Sequence, residues 1–477
     1  MKVKDVQQKQ LSDLVKSATH TDFGQKYDFE SIKGFQDFTG RLPISFYKNI
    51  KTQIEELKQG KQDIFWPGKV NKFAVSAGTS GEGKHLPLTK ERLESDRSFM
   101  RKVVRSYITQ RPNILDLWGK HISIPGTLEQ KEHYQIGEIS AYTAQNAPWW
   151  LSPFQIISPT KLSQLPFNEK INQTVNEAIN SDVRVITAVP SWILTMFKHV
   201  LDKTGAKSIK EVWPNLSLLV CGGVKLANYK PHIENLLNKP GVDFIETYGA
   251  SEGYFSFTDK LTKTDMKLVV DNGIFYEFVP NPLPDQESMA IQETIPLWEV
   301  KPNTPYAMLV TTNSGLWRYA LNDIVEFTQT NPPRIKVMGR VSEMLDDYGE
   351  ALYAYEAEEA LQNISKAMDI EIGNFTIGAT LQEGAAAPQH FWFVRTQEQL
   401  HRDTLDRLAK KIDQEVCEIN RHYAIRRESD ALGLPKVYSI SQQQINNWLA
   451  SKGKDKAQGK LPSILRDEED ISFFKQP

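Results

Sequence analysis

The sequence predicts an α/β fold: a large layered αβ N-terminal domain that includes a small antiparallel β subdomain, followed by a smaller, mobile α+β C-terminal domain. Three observations point there. The chain has 477 residues, more than one hydrophobic core organises, so two or more domains are expected. Apolar residues make up 40% and charged residues 24%, the balance of a globular chain that folds in water. Through the first half, short apolar runs alternate with helical stretches, the pattern of strands joined by crossover helices in a largely parallel sheet.

The opening stretch, about 20 residues, carries Val6, Leu11, Leu14 and Val15 at helical spacing and reads as an amphipathic helix. Residues 183–189, 216–220 and 242–246 read as strands, with helices over 192–201 and 229–237 between them. Ligands of such sheets gather where strands end at their carboxyl edge. From 260 to 330 the texture changes to short β-like pieces, 275–279, 306–310 and 324–327, cut by Pro and Asn, which predicts the antiparallel subdomain. After Gly339-Arg340 the chain reads as α+β, with helices near 355–368 and 397–421 and an aromatic strand over 390–394. The division is therefore expected at 340, giving domains 1–340 and 341–477. Residues 450–459 are polar and read as a mobile connector to Lys460.

The totals exclude several function classes. Net charge is −2, from 57 basic and 59 acidic side chains, which gives no surface for nucleic acid or an anionic membrane. The two cysteines, Cys221 and Cys417, form neither a metal spacing nor a disulfide framework. The first ten residues lack the apolar core of a signal peptide, and no apolar stretch approaches the ~20 residues that span a bilayer. A cytoplasmic protein is expected.

Five stretches carry candidate chemistry. Residues 76–84, Ser-Ala-Gly-Thr-Ser-Gly-Glu-Gly-Lys, follow the apolar run Phe73-Ala74-Val75. Small residues let backbone N–H groups approach a polyphosphate; Ser76, Thr79 and Ser80 add hydroxyls and Lys84 a charge. Gly78 and Gly83 have the spacing of the common phosphate loop, but His85 stands where that loop needs Ser or Thr. Residues 246–252, Glu-Thr-Tyr-Gly-Ala-Ser-Glu, follow a strand; a strand stopping at Tyr248-Gly249 would display Ser251 and Glu252 at the sheet edge, the carboxylate suited to Mg²⁺. Cys221-Gly222-Gly223 ends another strand and would admit a flat ring against the backbone. Asp323, placed before a strand, suits two ribose hydroxyls, and Lys460 suits delivery of a cation to a reacting group. Each stretch alone also fits an ordinary turn, a core segment or a solvated charge.

In this order the stretches resemble the adenylate-forming enzymes, and more narrowly the auxin-responsive promoter family, whose plant members are acyl-acid amido synthetases. The resemblance runs nearly end to end: residues 18–24 and 42–47 are similar to the family's opening pattern, 73–84, 247–252 and 317–325 to its three nucleotide motifs, and 420–426 and 460–462 to its C-terminal landmarks. It implies ATP and Mg²⁺ as cofactors, with a small-molecule carboxylic acid and an amino acid or other amine as partners. It implies that Ser76, Thr79 and Ser80, with Gly78, Gly81 and Lys84 of the same loop, hold the phosphates. Gly222, Gly223 and Tyr248 would border the adenine within the motif Thr247, Tyr248, Gly249, Ala250. Ser251 would touch the α-phosphate, Glu252 hold Mg²⁺, Asp323 bind the ribose, Arg340 sit at the domain junction, and Lys460 reach the adenylate. Departures are Ala320 and Asn322, where the family has Arg and Gly, Ser342-Glu343 in place of an acidic hinge pair, and Ser463 in place of Arg. The alternatives are an acyl-CoA ligase and an ATP-binding regulator without turnover.

Overall fold

Four segments, Lys120–Ser123, Val183–Ala188, Leu218–Gly222 and Asp243–Ala250, pair side by side in parallel. Their side chains alternate between two faces. Val185, Leu218 and Ile245 meet Phe99, Val103 and Tyr107 of the helix Lys90–Gln110 on one face. Ile186, Leu219 and Cys221 meet Ile193, Met196, Phe197 and Val200 of the helix Pro190–Thr204 on the other. Both faces are thus covered, which is why these strands read as continuous apolar runs. Pro190 starts its helix at the first turn, where no N–H is needed, and Gly205 closes it in the left-handed region with φ +68°.

The computed structural model describes residues 2–76, 84–147, 149–283, 289–381, 387–452 and 461–476. The chain divides into two compact units: Met1–Asn281 with Ala290–Leu321 and Val325–Val337, and Pro282–Met289 with Asn322–Ile324 and Met338–Pro477.

In the larger unit the antiparallel strands expected between 260 and 330 are present, and they continue the parallel sheet. Gly253–Phe257 runs antiparallel to Asp243–Ala250, Met266–Leu268 runs antiparallel to Gly253–Phe257 on its other side, and Pro333–Arg340, Tyr319–Thr330, Pro305–Thr312, Ile274–Pro280 and Ile295–Pro296 complete eleven strands. The N-terminal helix Val3–Ser17 buries Leu11, Leu14 and Val15 against this part of the sheet. Gln7, which the sequence reading passed over, is buried as well, and its Nε2 donates to the carbonyls of Val270 and Ile274 at 2.7 and 3.0 Å. A second sheet of four strands orders Lys84–Pro87, Lys72–Ser76, Gln135–Gly137 and Leu128–Gln130.

The smaller unit is α+β. Ile372–Thr380, Gln389–Thr396 and Lys436–Ser439 form its sheet, backed by Ala354–Met368 and Arg402–Ile419. Its core joins Leu361, Ile364, Leu408, Ile412 and Val416 to Ile377, Trp392 and Val394. Among the described residues no helix is long and apolar enough to cross a membrane.

Candidate active site

Lys72–Ser76 and Lys84–Pro87 form a hairpin whose last pair is Ser76 opposite Lys84. Lys84 therefore stands at the neck of the glycine-rich loop; Gly78, Thr79, Ser80 and Gly81 lie outside the described residues. The neck is braced from one side: the backbone N–H of His85 donates to the Tyr47 hydroxyl at 3.1 Å, and the His85 ring meets Lys58, itself paired with Glu55 at 2.7 Å.

The second motif departs from its expected form. The strand does not stop at Tyr248-Gly249; it runs through Ala250, and Ser251 and Glu252 make a two-residue turn into Gly253–Phe257, with Ala250 opposite Gly253. Both turn residues are buried, at 7% and 5% exposure, rather than displayed at an open edge. The reason is the reversal itself, which adds a further strand where the sequence reading ended the sheet. The Ser251 hydroxyl donates to the Val75 carbonyl at 3.1 Å and so ties this turn to the hairpin neck. A serine has one hydroxyl proton, so donation to a phosphate would exchange that bond.

Gly222 ends its strand opposite Thr247. A Cβ on Gly222 would fall 2.6 Å from the Thr247 hydroxyl, which donates to the Cys221 carbonyl at 3.1 Å, and Gly223 follows with φ +86°. Glycine is thus required twice, once for closeness and once for conformation. Beside them the Glu246 Oε1 accepts from the Leu226 N–H at 2.8 Å; burial pushes its carboxyl above the usual carboxylate range in spite of that bond. The Tyr248 ring packs on Phe255 with centroids 5.1 Å apart.

Two residues that sequence reasoning missed hold the Ser251–Glu252 turn. Arg92 Nη1 donates to the carbonyls of Ser251 and Glu252, and Arg92 Nε donates to Asp96 Oδ1 at 2.9 Å. An Arg and an Asp four apart on a helix read as a surface pair, yet here they are 1% and 2% exposed. Burial holds the Asp96 carboxyl above its ordinary value although Arg92 pulls it down. The signal available was Thr89, whose side chain caps the helix and fixes Arg92 in its first turn. Tyr319 was missed too: it is buried, its hydroxyl has no hydrogen-bond partner among the described residues, and burial with the nearby charge of Glu252 raises its pKa.

Asp323 and Arg340 belong to the smaller unit, where they pair with each other, Nε to Oδ1 3.7 Å. Asp323 does not precede a strand, as expected, but lies within Tyr319–Thr330, next to Asn322 at φ +71°. An asparagine tolerates this backbone where most side chains do not. Lys460 lies outside the described residues; just beyond it, the Ser463 carbonyl accepts from Ile377 N–H and Leu465 N–H donates to the Ile377 carbonyl, at 2.9 and 2.7 Å. In the apolar and aromatic stretch 189–197, Ile193, Met196 and Phe197 are core. Among the described residues no three His, Cys, Asp or Glu side chains gather as a metal site.

Comparison with known proteins follows the same segments. The GH3 family N-terminal domain matches residues 1–170, the GH3 family central domain 267–340 and the GH3 family C-terminal domain 355–469. Indole-3-acetic acid-amido synthetase GH3.4 of Arabidopsis thaliana is 20% identical over 96% of this chain and 89% of its own length. The solved structure of AtGH3.15 acyl acid amido synthetase in complex with 2,4-DB superposes with a TM-score of 0.77 at 16% identity, covering 99% of this chain and 93% of that one. A 2-hydroxyisobutyryl-CoA ligase in the postadenylation state gives a TM-score of 0.58 at 12% identity, over 99% of this chain and 91% of its own. These likenesses establish that the chain shares the fold of those two enzymes.

Proposed function

This chain belongs to the GH3 family, and on that premise we propose that it is an ATP-dependent ligase that activates a carboxylic acid as an acyl-adenylate and conjugates it to the amine of an amino acid. The observation that carries the reading is the Ser251–Val75 hydrogen bond, which joins two motifs 176 residues apart at one place. In the first half-reaction a carboxylate oxygen of the acid attacks the α-phosphorus of ATP and pyrophosphate leaves. In the second the amine nitrogen attacks the acyl carbon, the C–O bond to AMP breaks, and the ammonium proton is lost to solvent or base.

Residues 1–340 would bind ATP and acid, with 341–477 as the mobile smaller domain. Ser76, Gly78, Thr79, Ser80, Gly81 and Lys84 would hold the phosphates with backbone N–H groups, hydroxyls and one ammonium. Gly222, Gly223 and Tyr248 would border the base, with Thr247, Gly249 and Ala250 in the same nucleotide motif, Asp323 accept from the ribose, and Arg340 lie beside the nucleotide. Lys460 would neutralise charge developing on the adenylate. Glu252 is the carboxylate for Mg²⁺; one carboxylate fits an ion that arrives on the nucleotide and keeps phosphate oxygens and water as its other ligands. When bound, the ion supplies charge neutralisation to the phosphates. A cytoplasmic location accompanies this reading.

The test is release of pyrophosphate from ATP and Mg²⁺ with a library of carboxylic and amino acids. Silence across the library counts against the ligase. A thioester in place of an amide, with coenzyme A as acceptor, would move the second half-reaction to the acyl-CoA ligase alternative. Lys460→Ala is expected to abolish most pyrophosphate release with the fold intact; unchanged turnover removes Lys460 from the mechanism.

A further inference from the structure

The turn that carries Ser251 and Glu252 has only two residues, and both of its carbonyls accept from a single side chain. Arg92 orients them. Its Nη1 reaches both turn carbonyls, and Asp96 holds the other edge of the guanidinium through Nε, so the plane cannot rotate about its stem. Arg92 is itself placed by the helix start: its N–H donates to the Thr89 hydroxyl at 3.1 Å, and that hydroxyl donates to the Asn313 carbonyl at 2.7 Å. Arg92 follows the hairpin strand Lys84–Pro87 after a short connection. One continuous segment therefore runs from the loop neck to the back of the turn, while Ser251 binds Val75 of the opposite hairpin strand. The turn is held by one hairpin strand and by the helix that follows the other.

The pair is a poor stability device. Taking two charges out of water is costly, and well-packed apolar residues commonly replace such pairs without loss. Here the arrangement is also incomplete: Arg92 Nη2 and Asp96 Oδ2 have no hydrogen-bond partner among the described residues. An incompletely satisfied buried pair whose arginine also holds the two backbone carbonyls of a turn with a proposed metal-binding carboxylate has the character of an orienting element. Partners behind a metal ligand fix its direction, and their loss weakens metal affinity or activity by roughly 10–100-fold.

We propose that Arg92 and Asp96 are positioning residues of the ligase reaction: they hold the Ser251–Glu252 turn at a fixed distance and direction from the neck of the glycine-rich loop, so that the Glu252 carboxylate meets the magnesium on ATP without reorganisation. The claim rests on the proposed function and goes beyond it, since neither residue touches substrate.

The test uses the full chain. Arg92→Lys keeps the charge but loses the fork that binds Asp96 and two carbonyls together. Asp96→Asn keeps an acceptor for Nε and removes the charge. Parent and variants are titrated with ATP by calorimetry, once with excess magnesium and once with EDTA, and their thermal midpoints are measured without ligand. The expected result is a folded variant whose magnesium-dependent gain in ATP affinity falls about tenfold while its affinity in EDTA is unchanged. A folded variant that keeps the full gain overturns the claim, as does a parent whose ATP affinity ignores magnesium. If Arg92→Lys does not fold, the isosteric Asp96→Asn decides by the same two outcomes. A parent that binds no ATP at all refutes the ligase reading itself, whereas equal binding by parent and variant refutes the positioning claim alone.

Discussion

Glu356→Gln should make the smaller unit more stable at pH 8 and leave it nearly unchanged at pH 4.5. Glu356 sits in the first turn of Ala354–Met368, where its Oε2 accepts both the Tyr353 N–H at 2.9 Å and the Asn420 Nδ2 at 2.7 Å. Burial pushes its carboxyl from an ordinary 4.5 up to about 7, against those two bonds, and the charge of Glu359 adds to the rise. At 1.36 kcal/mol per pKa unit this converts to about 3 kcal/mol. The folded pKa lies above the unfolded one, so this stabilisation is complete below pH 4.5, is lost as pH rises through about 7, and stays lost above it. Glutamine reproduces the protonated form, with its carbonyl oxygen taking both donors, and removes the dependence. For a unit of this size each kcal/mol moves the melting midpoint by up to roughly 4 °C, so the variant should melt up to roughly 12 °C higher at pH 8. The assay is thermal melting of parent and variant followed by circular dichroism at both pH values; the gap between the two curves isolates Glu356 from other carboxylates. A gap of equal size at both pH values, or a variant less stable at pH 8, refutes the reasoning.

Two further substitutions test the packing around the site. Gly222→Ala places a methyl 2.6 Å from the Thr247 hydroxyl and should destabilise the larger unit by about 1–3 kcal/mol, read as a lower melting midpoint. Tyr319→Phe removes a buried hydroxyl with no hydrogen-bond partner among the described residues and should leave stability equal or raise it by about 1 kcal/mol; a loss of that size would show that the hydroxyl is satisfied in solution.

The parallel half of the sheet was legible because its strands are buried on both faces and its connections are helical, so the apolar runs and the 3.6-residue periods stood apart. The antiparallel strands were legible as strands, but their membership of the same sheet was not: a reversal at Ser251–Glu252 leaves no mark in composition that separates a hairpin from a strand end. Gly222 was read as room for a flat ring, and its close neighbour Thr247 was not legible, since parallel pairing joins residues with no fixed spacing. Arg92 and Asp96 were hidden by a pattern that normally lies on a solvated face, and only the tertiary position of their helix makes them internal. Asn322 looked like a defect of its motif, where the family has glycine; its φ of +71° explains it, because asparagine is the side chain that most readily stands in for glycine there.

The central claim is that distant segments assemble one site that transfers adenylate to a carboxylic acid. Isotope exchange between pyrophosphate and ATP, run on the intact chain with a panel of acids, tests it most directly. The account predicts label in ATP only when both magnesium and a suitable acid are present, with strong attenuation in Glu252→Ala. ATP binding without exchange for any acid would contradict it and leave a nucleotide-binding protein that does no adenylation.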